Sequence, residues 1–431
     1  ASIATSANDA AQVLADESAR YQKMTNQEFL YYMNKKATLL GMNHSHFSNP
    51  DGLDEQNQYS TLADIAKLRT NKFGYRVYID GVQLENNDMI QVYDSPPKKD
   101  ETLAEWVNRA FGERKFGMII NQGERFNLEL SKLIAFKLKP LLDKIGMPTE
   151  GIIFTLFIGN YDSTPLGIHL DLPGKSVIHF HLGPGSKTMY TWDTKEYLDL
   201  VGEEKYNNQN INKYLPFANK HHFDEGDIYF MPEDTYHVGT QEGLSVAIAC
   251  WCYNRSNQDF AQRLQSLLLE QYLKKVDENL KPDSNPIDNV SALDKTLDLF
   301  DIPAALEQLN FKDLIKETYR DLRYSLYSNA GYRTSPFLKA ESISFDLNDT
   351  IEIEKPYKIL YKESLDTQKL QLFIRGTKFE LNNFDGIKTL IDEINTDKPI
   401  VVKDALSILD KNWDHDIGLY ILSVLYKHHG I

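Results

Sequence analysis

The chain of 431 residues exceeds the size at which one hydrophobic core stops growing, so we expect two to four domains. Hydrophobic residues make up 42% and charged residues 25%, as in ordinary soluble proteins, and no apolar run reaches the roughly 20 residues of a membrane span. The formal charge of −15 disfavours nucleic acid and anionic membranes as partners, and it steers basic peptides inward. Only two cysteines occur, Cys250 and Cys252, which favours a reducing cytoplasm.

Residues 1–70 form the first predicted domain, a set of helices joined by a polar loop. The stretches "SANDAAQVLA" and "MNKKATLLGMNHSHFSNPDGLDEQNQYSTLADIAKL" resemble D-alanyl-D-alanine carboxypeptidases, in which Ser6 and Asn8 would form the S-x-N motif. These enzymes also need a nucleophilic S-x-x-K before that motif and a K-T-G after it, and neither occurs in the required context. We therefore interpret the segment as a fragment of such a fold and expect no peptidase activity.

Residues 71–255 form the second predicted domain, in which short strand-like runs alternate with Gly and Pro. The runs include "YRVYIDG", "GMIINQ", "IIFTLFIGNY", "KSVIHFHL", "DIYFM" and "SVAIACWCY", and one helix is predicted from Leu128 to Ile145. Many short strands with turn residues between them favour a sandwich or barrel over a parallel sheet.

The remaining chain divides into a helical domain at 256–342 and a strand-then-helix domain at 343–431. The helical domain opens with an apolar stripe, which makes a homodimer a possible state; its members are Phe260, Leu264, Leu267, Leu268 and Leu273. The last domain has the element order of a winged helix, but its surface would suit DNA poorly, because residues 345–431 hold fifteen acidic and eleven basic side chains. The whole chain is thus predicted to be α+β.

A metal site is predicted within "TPLGIHLDLPGKSVIHFHLGPGSK", residues 164–187. His169 and Asp171 are two residues apart, which places both side chains on one face of a strand end. An Fe(II) oxygenase needs two imidazoles and a carboxylate on one face of the ion, so a third ligand must come from a distant strand. His237, in "GDIYFMPEDTYHVG", is the candidate. A competing ligand set is His179, His181 and His237, because "HFH" has the H-x-H spacing of simple cupins.

The same region resembles the JmjC or cupin-like 2-oxoglutarate oxygenases, most of all the ribosomal-protein histidyl hydroxylase branch. That branch carries N-x-Y-x-T-P, H-x-D, a strand ending in G-x-K, and G-D-x-x-Y-x-P followed by a histidine. The corresponding residues here are Asn160, Thr164, Pro165, His169, Asp171, Gly185, Lys187, Gly226, Asp227, Pro232 and His237.

The resemblance implies a double-stranded β-helix (cupin or jelly-roll) core, a helical dimerisation region, a C-terminal winged-helix-like domain, and Fe(II) and 2-oxoglutarate as cofactors. By resemblance, His169, Asp171 and His237 hold the metal, and Lys187 binds the distal carboxylate of 2-oxoglutarate, with Lys175 as the alternative lysine. Asn160 and Thr155 complete the predicted co-substrate set. The implied function is hydroxylation of a side chain of a peptide or protein. Two other hypotheses are a non-catalytic cupin-type peptide-binding protein and a cell-wall peptidase.

Overall fold

The computed structural model describes residues 24–39, 46–48, 75–85, 88–98, 100–202, 210–273, 285–290, 299–300, 302, 304–337, 339–340, 343–365, 368–409 and 415–431. The chain forms two compact units, of which the first contains 1–123 and 153–251 and the second contains 124–152 and 252–431. The four domain ranges expected from the sequence stay a prediction. The residues proposed for the S-x-N motif, Ser6 and Asn8, lie outside the described residues.

The structure mixes helices with antiparallel strands. The strands are β1 Tyr75–Ile79, β2 Val82–Gln83, β3 Phe116–Ile120, β4 Ile153–Gly159, β5 Lys175–Pro184, β6 Lys187–Asp193, β7 Asn219–Phe223, β8 Ile228–Met231, β9 Thr235–Gln241, β10 Ser245–Tyr253, β11 Thr350–Ile351, β12 Leu360–Glu363, β13 Lys369–Ile374, β14 Thr377–Asn382 and β15 Ile400–Val401. The α-helices are α1 Asn26–Leu39, α2 Met89–Tyr93, α3 Leu103–Phe111, α4 Leu128–Ile145, α5 Thr194–Val201, α6 Asn257–Tyr272, α7 Ala304–Glu307, α8 Phe311–Ser328, α9 Ile387–Ile394, α10 Val402–Ser407 and α11 His415–Lys427.

Two antiparallel sheets build the first unit. The larger has the order β2-β1-β3-β4-β10-β5-β8, and the smaller has the order β7-β6-β9. The segment before β5 runs beside β9, because isolated bridges join Ser163 to Thr240 and His169 to His237. The smaller sheet therefore gains a fourth chain segment, and that segment carries one of the predicted metal ligands.

Side chains along β5 alternate between the interior face and the other face of the larger sheet. Val177, His179 and His181 are buried, whereas Ile178 and Phe180 between them are half-buried. Successive side chains of a strand point to opposite faces, so both histidines share the interior face. Polar groups on this face need hydrogen-bond partners or a ligand, because they are removed from water.

Helix α3 packs its apolar face in the first unit and is bounded by its own sequence. Thr102 and Glu105 form a capping box at its start, in which each side chain accepts from the other residue's backbone N–H. Trp106 and Phe111 are buried, and the ring of Phe111 stacks on that of Phe116 at 4.6 Å between centroids. This packing holds β3 in place beside β1 and β4.

The second unit combines helices with two small sheets. Helix α4 begins after Asn127, whose side chain accepts a hydrogen bond from the backbone N–H of Leu130, and α8 begins after Asn310 in the same way. Strands β12, β13 and β14 pair in that order, and β11 pairs with β15. Helices α9, α10 and α11 contribute apolar side chains to one core with these strands. Across the described residues, no helix is both long enough and apolar enough to cross a membrane.

Candidate metal centre

A single β-bridge places the two predicted imidazole ligands side by side. The backbone N–H of His169 donates to the carbonyl oxygen of His237 at 3.1 Å, and the N–H of His237 donates back to His169 at 2.9 Å. The imidazole ring centroids are 4.3 Å apart. Residues 68 positions apart in the chain thus become direct neighbours, because this antiparallel pair exchanges both hydrogen bonds.

Asp171 completes a group of three potential ligands. One ligand atom each from His169, Asp171 and His237 lies within 4.8 Å of the others. His237 is buried, and the other two are half-buried. Two imidazoles and one carboxylate are the donor set of the facial triad of Fe(II) oxygenases.

Each imidazole is oriented by a backbone carbonyl near it. Nδ1 of His169 lies 2.9 Å from the carbonyl oxygen of Gly167, and Nδ1 of His237 lies 3.1 Å from that of Thr235. A carbonyl oxygen only accepts, so each Nδ1 carries the proton and donates it. Nε2 of each ring is then left with a free lone pair, which is the state that a metal ligand needs.

Burial keeps these rings neutral. It lowers the pKa of His169 below its ordinary value and, with the nearby His169, lowers the pKa of His237 to about 4. Burial acts to raise the pKa of Asp171, but the ammonium of Lys175 and the neighbouring His237 outweigh it, so that pKa is lowered. Two neutral imidazoles and one carboxylate at neutral pH fit a divalent metal without loss of protons from the histidines.

The competing H-x-H set is not brought together. The rings of His179 and His181 are 6.4 Å apart at their centroids and nearly parallel, and Nε2 of His181 hydrogen-bonds to the carbonyl oxygen of Gly185 at 2.6 Å. Among the described residues, His169, Asp171 and His237 form the one group with metal-ligand spacing. Hence His179 and His181 share a strand face, as the alternation predicts, without converging on His237.

A cavity of about 140 Å³ lies between the two sheets at the three ligands. The larger sheet contributes Thr155, Val177 and Ala249, and the smaller contributes Met189 and Gly239. Lys175 enters the same cavity, where its Nζ lies 3.0 Å from Oδ2 of Asp171 and 4.8 Å from the centroid of the Trp251 ring.

Lys187, the first residue of β6, supplies a buried ammonium to this cavity. It is 3% exposed, and its Nζ lies 5.6 Å from the centroid of the Phe157 ring and 6.0 Å from that of Tyr161. Within the described part of the chain, its ammonium makes no ion pair and no hydrogen bond. A buried cation without a carboxylate partner is costly, so an anionic ligand is the expected companion.

His179 adds an orphaned polar atom to the same cavity. Its Nε2 is buried without a hydrogen-bond partner, and burial together with the charge of Lys187 holds its pKa well below the ordinary value. A neutral imidazole and an ammonium together offer a hydrogen bond and a charge to one carboxylate. The residues present therefore fit a dicarboxylate that reaches from the metal ligands to Lys187.

The two other predicted co-substrate residues differ in placement. Thr155 is buried and lines the cavity, where its Oγ1 accepts from Nε1 of Trp251 at 3.1 Å and donates to Oδ1 of Asn121 at 3.0 Å. Asn160 does not line the cavity. Its Oδ1 accepts from the backbone N–H of Phe116 at 2.7 Å, so the side chain ties the end of β4 to β3.

Sequence reasoning missed two polar cavity residues, Arg76 and Asn121. Arg76 lies in β1, where it is directly opposite Ile119, and Asn121 follows β3. A basic residue inside the apolar alternation of "YRVYI" was the available signal for Arg76, because every second strand residue faces the interior.

Comparisons with known proteins add one family match. The model of the peptidase S11 family, described as D-alanyl-D-alanine carboxypeptidase, matches residues 1–106, about a quarter of the chain, and this confirms the resemblance found in the N-terminal sequence. No curated protein matches.

Solved structures match at low similarity. YcfD, a ribosomal oxygenase from Escherichia coli, is 12% identical over 73% of this chain and 76% of its own, with a TM-score of 0.39. YcfD in complex with cobalt and 2-oxoglutarate gives 12% identity, 73% and 77% coverage and a TM-score of 0.38. The dimethylsulfoniopropionate (DMSP) lyase DddQ from Ruegeria pomeroyi gives 11% identity, 25% and 41% coverage and a TM-score of 0.16. At these scores the likenesses do not assign a function.

Proposed function

We propose that this protein is an Fe(II)- and 2-oxoglutarate-dependent oxygenase that hydroxylates a side chain of a peptide or protein. The observation that carries the proposal is the convergence of His169, Asp171 and His237, with free Nε2 atoms, in one cavity with the unpaired ammonium of Lys187. Fe(II) in such a site couples decarboxylation of 2-oxoglutarate by dioxygen to oxidation of a substrate C–H bond.

The strand order supports the proposal. We infer that β4, the segment 163–169 and β5 to β10 form the eight strands of a double-stranded β-helix. The larger sheet then has the order first, eighth, third, sixth, and the smaller has the order second, seventh, fourth, fifth. This is the order of two intertwined Greek keys, as in a jelly roll.

The protein's own residues would act as follows. His169, Asp171 and His237 hold the metal, and the carbonyl groups of Gly167 and Thr235 keep both rings in the ligating orientation. Lys187 pairs with the distal carboxylate of 2-oxoglutarate, and Nε2 of His179 donates a hydrogen bond to it. Hydrogen bonds with Trp251 and Asn121 hold the hydroxyl of Thr155 in the cavity wall.

The test is turnover of 2-oxoglutarate by the full chain after anaerobic loading with Fe(II). We expect succinate to form once oxygen is admitted, and we expect His169→Ala and His237→Ala to abolish both succinate formation and stoichiometric iron binding. His222→Ala, a change at an exposed histidine of β7, is the matched control and should keep both. Normal turnover in the two ligand variants would overturn the proposal.

One specific contact favours a non-catalytic alternative. The ammonium of Lys175 neutralises Asp171 in the way that an ion would. If the protein is instead a metal-free peptide-binding protein, the same samples should contain almost no iron, and a chelator should not affect peptide binding.

The family match at residues 1–106 favours a second alternative, a protein related to cell-wall D-alanyl-D-alanine carboxypeptidases. Covalent labelling by a fluorescent β-lactam would support that activity. Absence of labelling would remove this alternative.

The remaining parts of the proposal concern the rest of the molecule. We propose that 343–431 is a winged-helix-like domain, in which β12–β14 form the wing sheet. The exposed leucines Leu269 and Leu273 at the end of α6 support a homodimer. A cytoplasmic location fits Cys250 and Cys252, which form no disulfide in the described part of the chain.

A further inference from the structure

Arg76 is a cation of the cavity that neither the metal site nor the co-substrate site uses. In the larger sheet it lies directly opposite Ile119, which in turn lies opposite Phe157. Directly paired residues share a sheet face, so Arg76 lies on the same interior face as the ring that contacts Lys187. It is half-buried and lines the cavity.

Within the described residues, the guanidinium of Arg76 makes no ion pair and no hydrogen bond. A charged group removed from water is costly without a partner, and a guanidinium is a charged group. Its planar fork of N–H donors matches a carboxylate with two parallel hydrogen bonds. The unpaired fork is therefore a receptor for a carboxylate.

The charged groups that line the cavity leave Arg76 without a carboxylate from the described chain. The cavity walls carry Arg76, Lys175 and Lys187 against one carboxylate, Asp171, which already pairs with Lys175. A divalent metal and the two carboxylates of 2-oxoglutarate sum to zero, so the three cations and one carboxylate of the wall still leave a net charge of +2. In the proposed function, Lys187 pairs with the distal carboxylate of 2-oxoglutarate. Arg76 is left as the cation for a further anion.

We infer that the substrate oxidised in this cavity presents a carboxylate to Arg76. This inference rests on the proposed oxygenase function and names the chemistry of its substrate. The carboxylate belongs either to an acidic side chain of a peptide or to a small free carboxylic acid.

The overall charge of −15 does not contradict this inference. Exposed charges are screened beyond a Debye length of about 8 Å at physiological ionic strength, whereas pairs inside a partly buried cavity are screened much less. The net charge acts on the approach of a ligand from a distance, whereas Arg76 acts on the carboxylate of a ligand that is already bound.

The test is equilibrium binding by calorimetry to the full chain, under anaerobic conditions with Co(II) and 2-oxoglutarate present. The probes are acetyl-Gly-Gly-X-Gly-Gly-amide peptides with Asp, Asn or Lys at X, and butyrate as a free carboxylate. We expect the Asp peptide to bind about tenfold or more tightly than the Asn peptide, as one charge-assisted pair provides. If butyrate binds as tightly as the Asp peptide, the source of the carboxylate is a small acid. If butyrate binds more weakly, the source is an acidic peptide.

Three variants assign this preference to Arg76. Arg76→Gln should bind the Asp and Asn peptides equally, and Arg76→Glu should bind the Lys peptide most tightly. Arg76→Lys should keep part of the preference for the Asp peptide. Lys220→Gln, which removes one exposed charge on β7, is the matched control and should leave that preference unchanged. Thermal unfolding of each variant checks that it is folded, and the wild-type comparison of Asp with Asn peptides stands whatever the variants do.

Equal binding of the Asp and Asn peptides to the wild type would overturn the inference, as would an unchanged preference in Arg76→Gln. So would a variant that weakens 2-oxoglutarate binding instead, because Arg76 would then serve the co-substrate. Separate titrations with Co(II) and 2-oxoglutarate report on the proposed function. If those fail, the Asp and Asn comparison on the metal-free chain still decides the role of Arg76.

Discussion

At the scale of single residues, two lysines compete for one role. Lys187 is buried and unpaired among the described residues, whereas Lys175 forms an ion pair with Asp171. An ammonium that already has a carboxylate partner has less to gain from a second one. The distal carboxylate of 2-oxoglutarate is therefore assigned to Lys187 in the proposal.

Replacing Lys187 tests this assignment. We expect Lys187→Met, which keeps the length and loses the charge, to weaken 2-oxoglutarate binding about tenfold or more, since a charge-assisted hydrogen bond contributes roughly 1.5–3 kcal/mol. Calorimetry on the Co(II)-loaded protein measures it. Lys175→Met is the matched comparison and should change 2-oxoglutarate binding less. If Lys175→Met weakens 2-oxoglutarate binding more than Lys187→Met does, Lys175 is the residue that pairs with the distal carboxylate.

The sequence predicts the members of the candidate site that belong to spaced motifs. H-x-D places His169 and Asp171 together because a strand alternates, and the motif pieces around Lys187 and His237 supply the distant members. The structure brings these four residues into one cavity. Asn160 instead bonds to backbone, and Arg76 enters from β1, because strand pairing between distant segments cannot be derived from local spacing.

At the scale of elements, apolar runs predicted strands and the 3.6-residue period predicted helices. The runs named in the sequence correspond to β1, β3, β4, β5, β8 and β10, and the helix from Leu128 to Ile145 is found with those bounds. Strands β7 and β9 were not among the predicted runs. Their sequences, "NKHHF" and "TYHVGTQ", are polar, and they are strands because both pair with β6.

A buried carboxylate joins several elements of the second unit. Glu150 is 2% exposed, and its carboxylate lies 2.7 Å from Nε of Arg255, 3.2 Å from Arg333 and 3.9 Å from Arg263 on α6. Removing one member of a buried ion pair leaves the other charge unpaired. The cluster therefore depends on Glu150 more than on any one arginine.

We expect Glu150→Ala to lower the free energy of unfolding by about 3 kcal/mol, because three guanidinium groups lose their shared partner. Chemical denaturation followed by circular dichroism measures the change. Glu270→Ala removes an exposed partner of Arg263 and should cost less than about 1 kcal/mol. Similar effects of the two substitutions would show that the Glu150 cluster is not a stabilising centre.

At the scale of the whole molecule, buried histidines link stability to pH. His237 has a pKa of about 4 in the folded chain, against an ordinary value of 6.5, and burial also lowers the pKa of His169 and His179. The unfolded chain binds protons at these positions at a higher pH than the folded chain. Because the unfolded chain binds more protons in this range, the free energy of unfolding falls as the pH drops from about 6.5 toward 4. Above about pH 6.5 the histidines are neutral in both states and this loss does not occur.

Denaturation midpoints of the metal-free protein at pH 7.5 and pH 5 test this expectation. The midpoint should be lower at pH 5, and His237→Asn should reduce the difference between the two conditions. His222→Asn, at an exposed position, should retain it. A pH difference that His237→Asn leaves intact would place its origin in other groups.

The paired backbone hydrogen bonds between His169 and His237 have a consequence for handling the protein. If the proposed metal site is correct, this backbone pairing positions both histidine ligands before the ion binds. Stripping with a chelator should leave amide exchange at both positions slow, and refilling with manganese, cobalt or zinc should need no refolding. In the proposed oxygenase, these three metals would occupy the iron site without supporting the oxidation, so they suit crystals that hold both reactants.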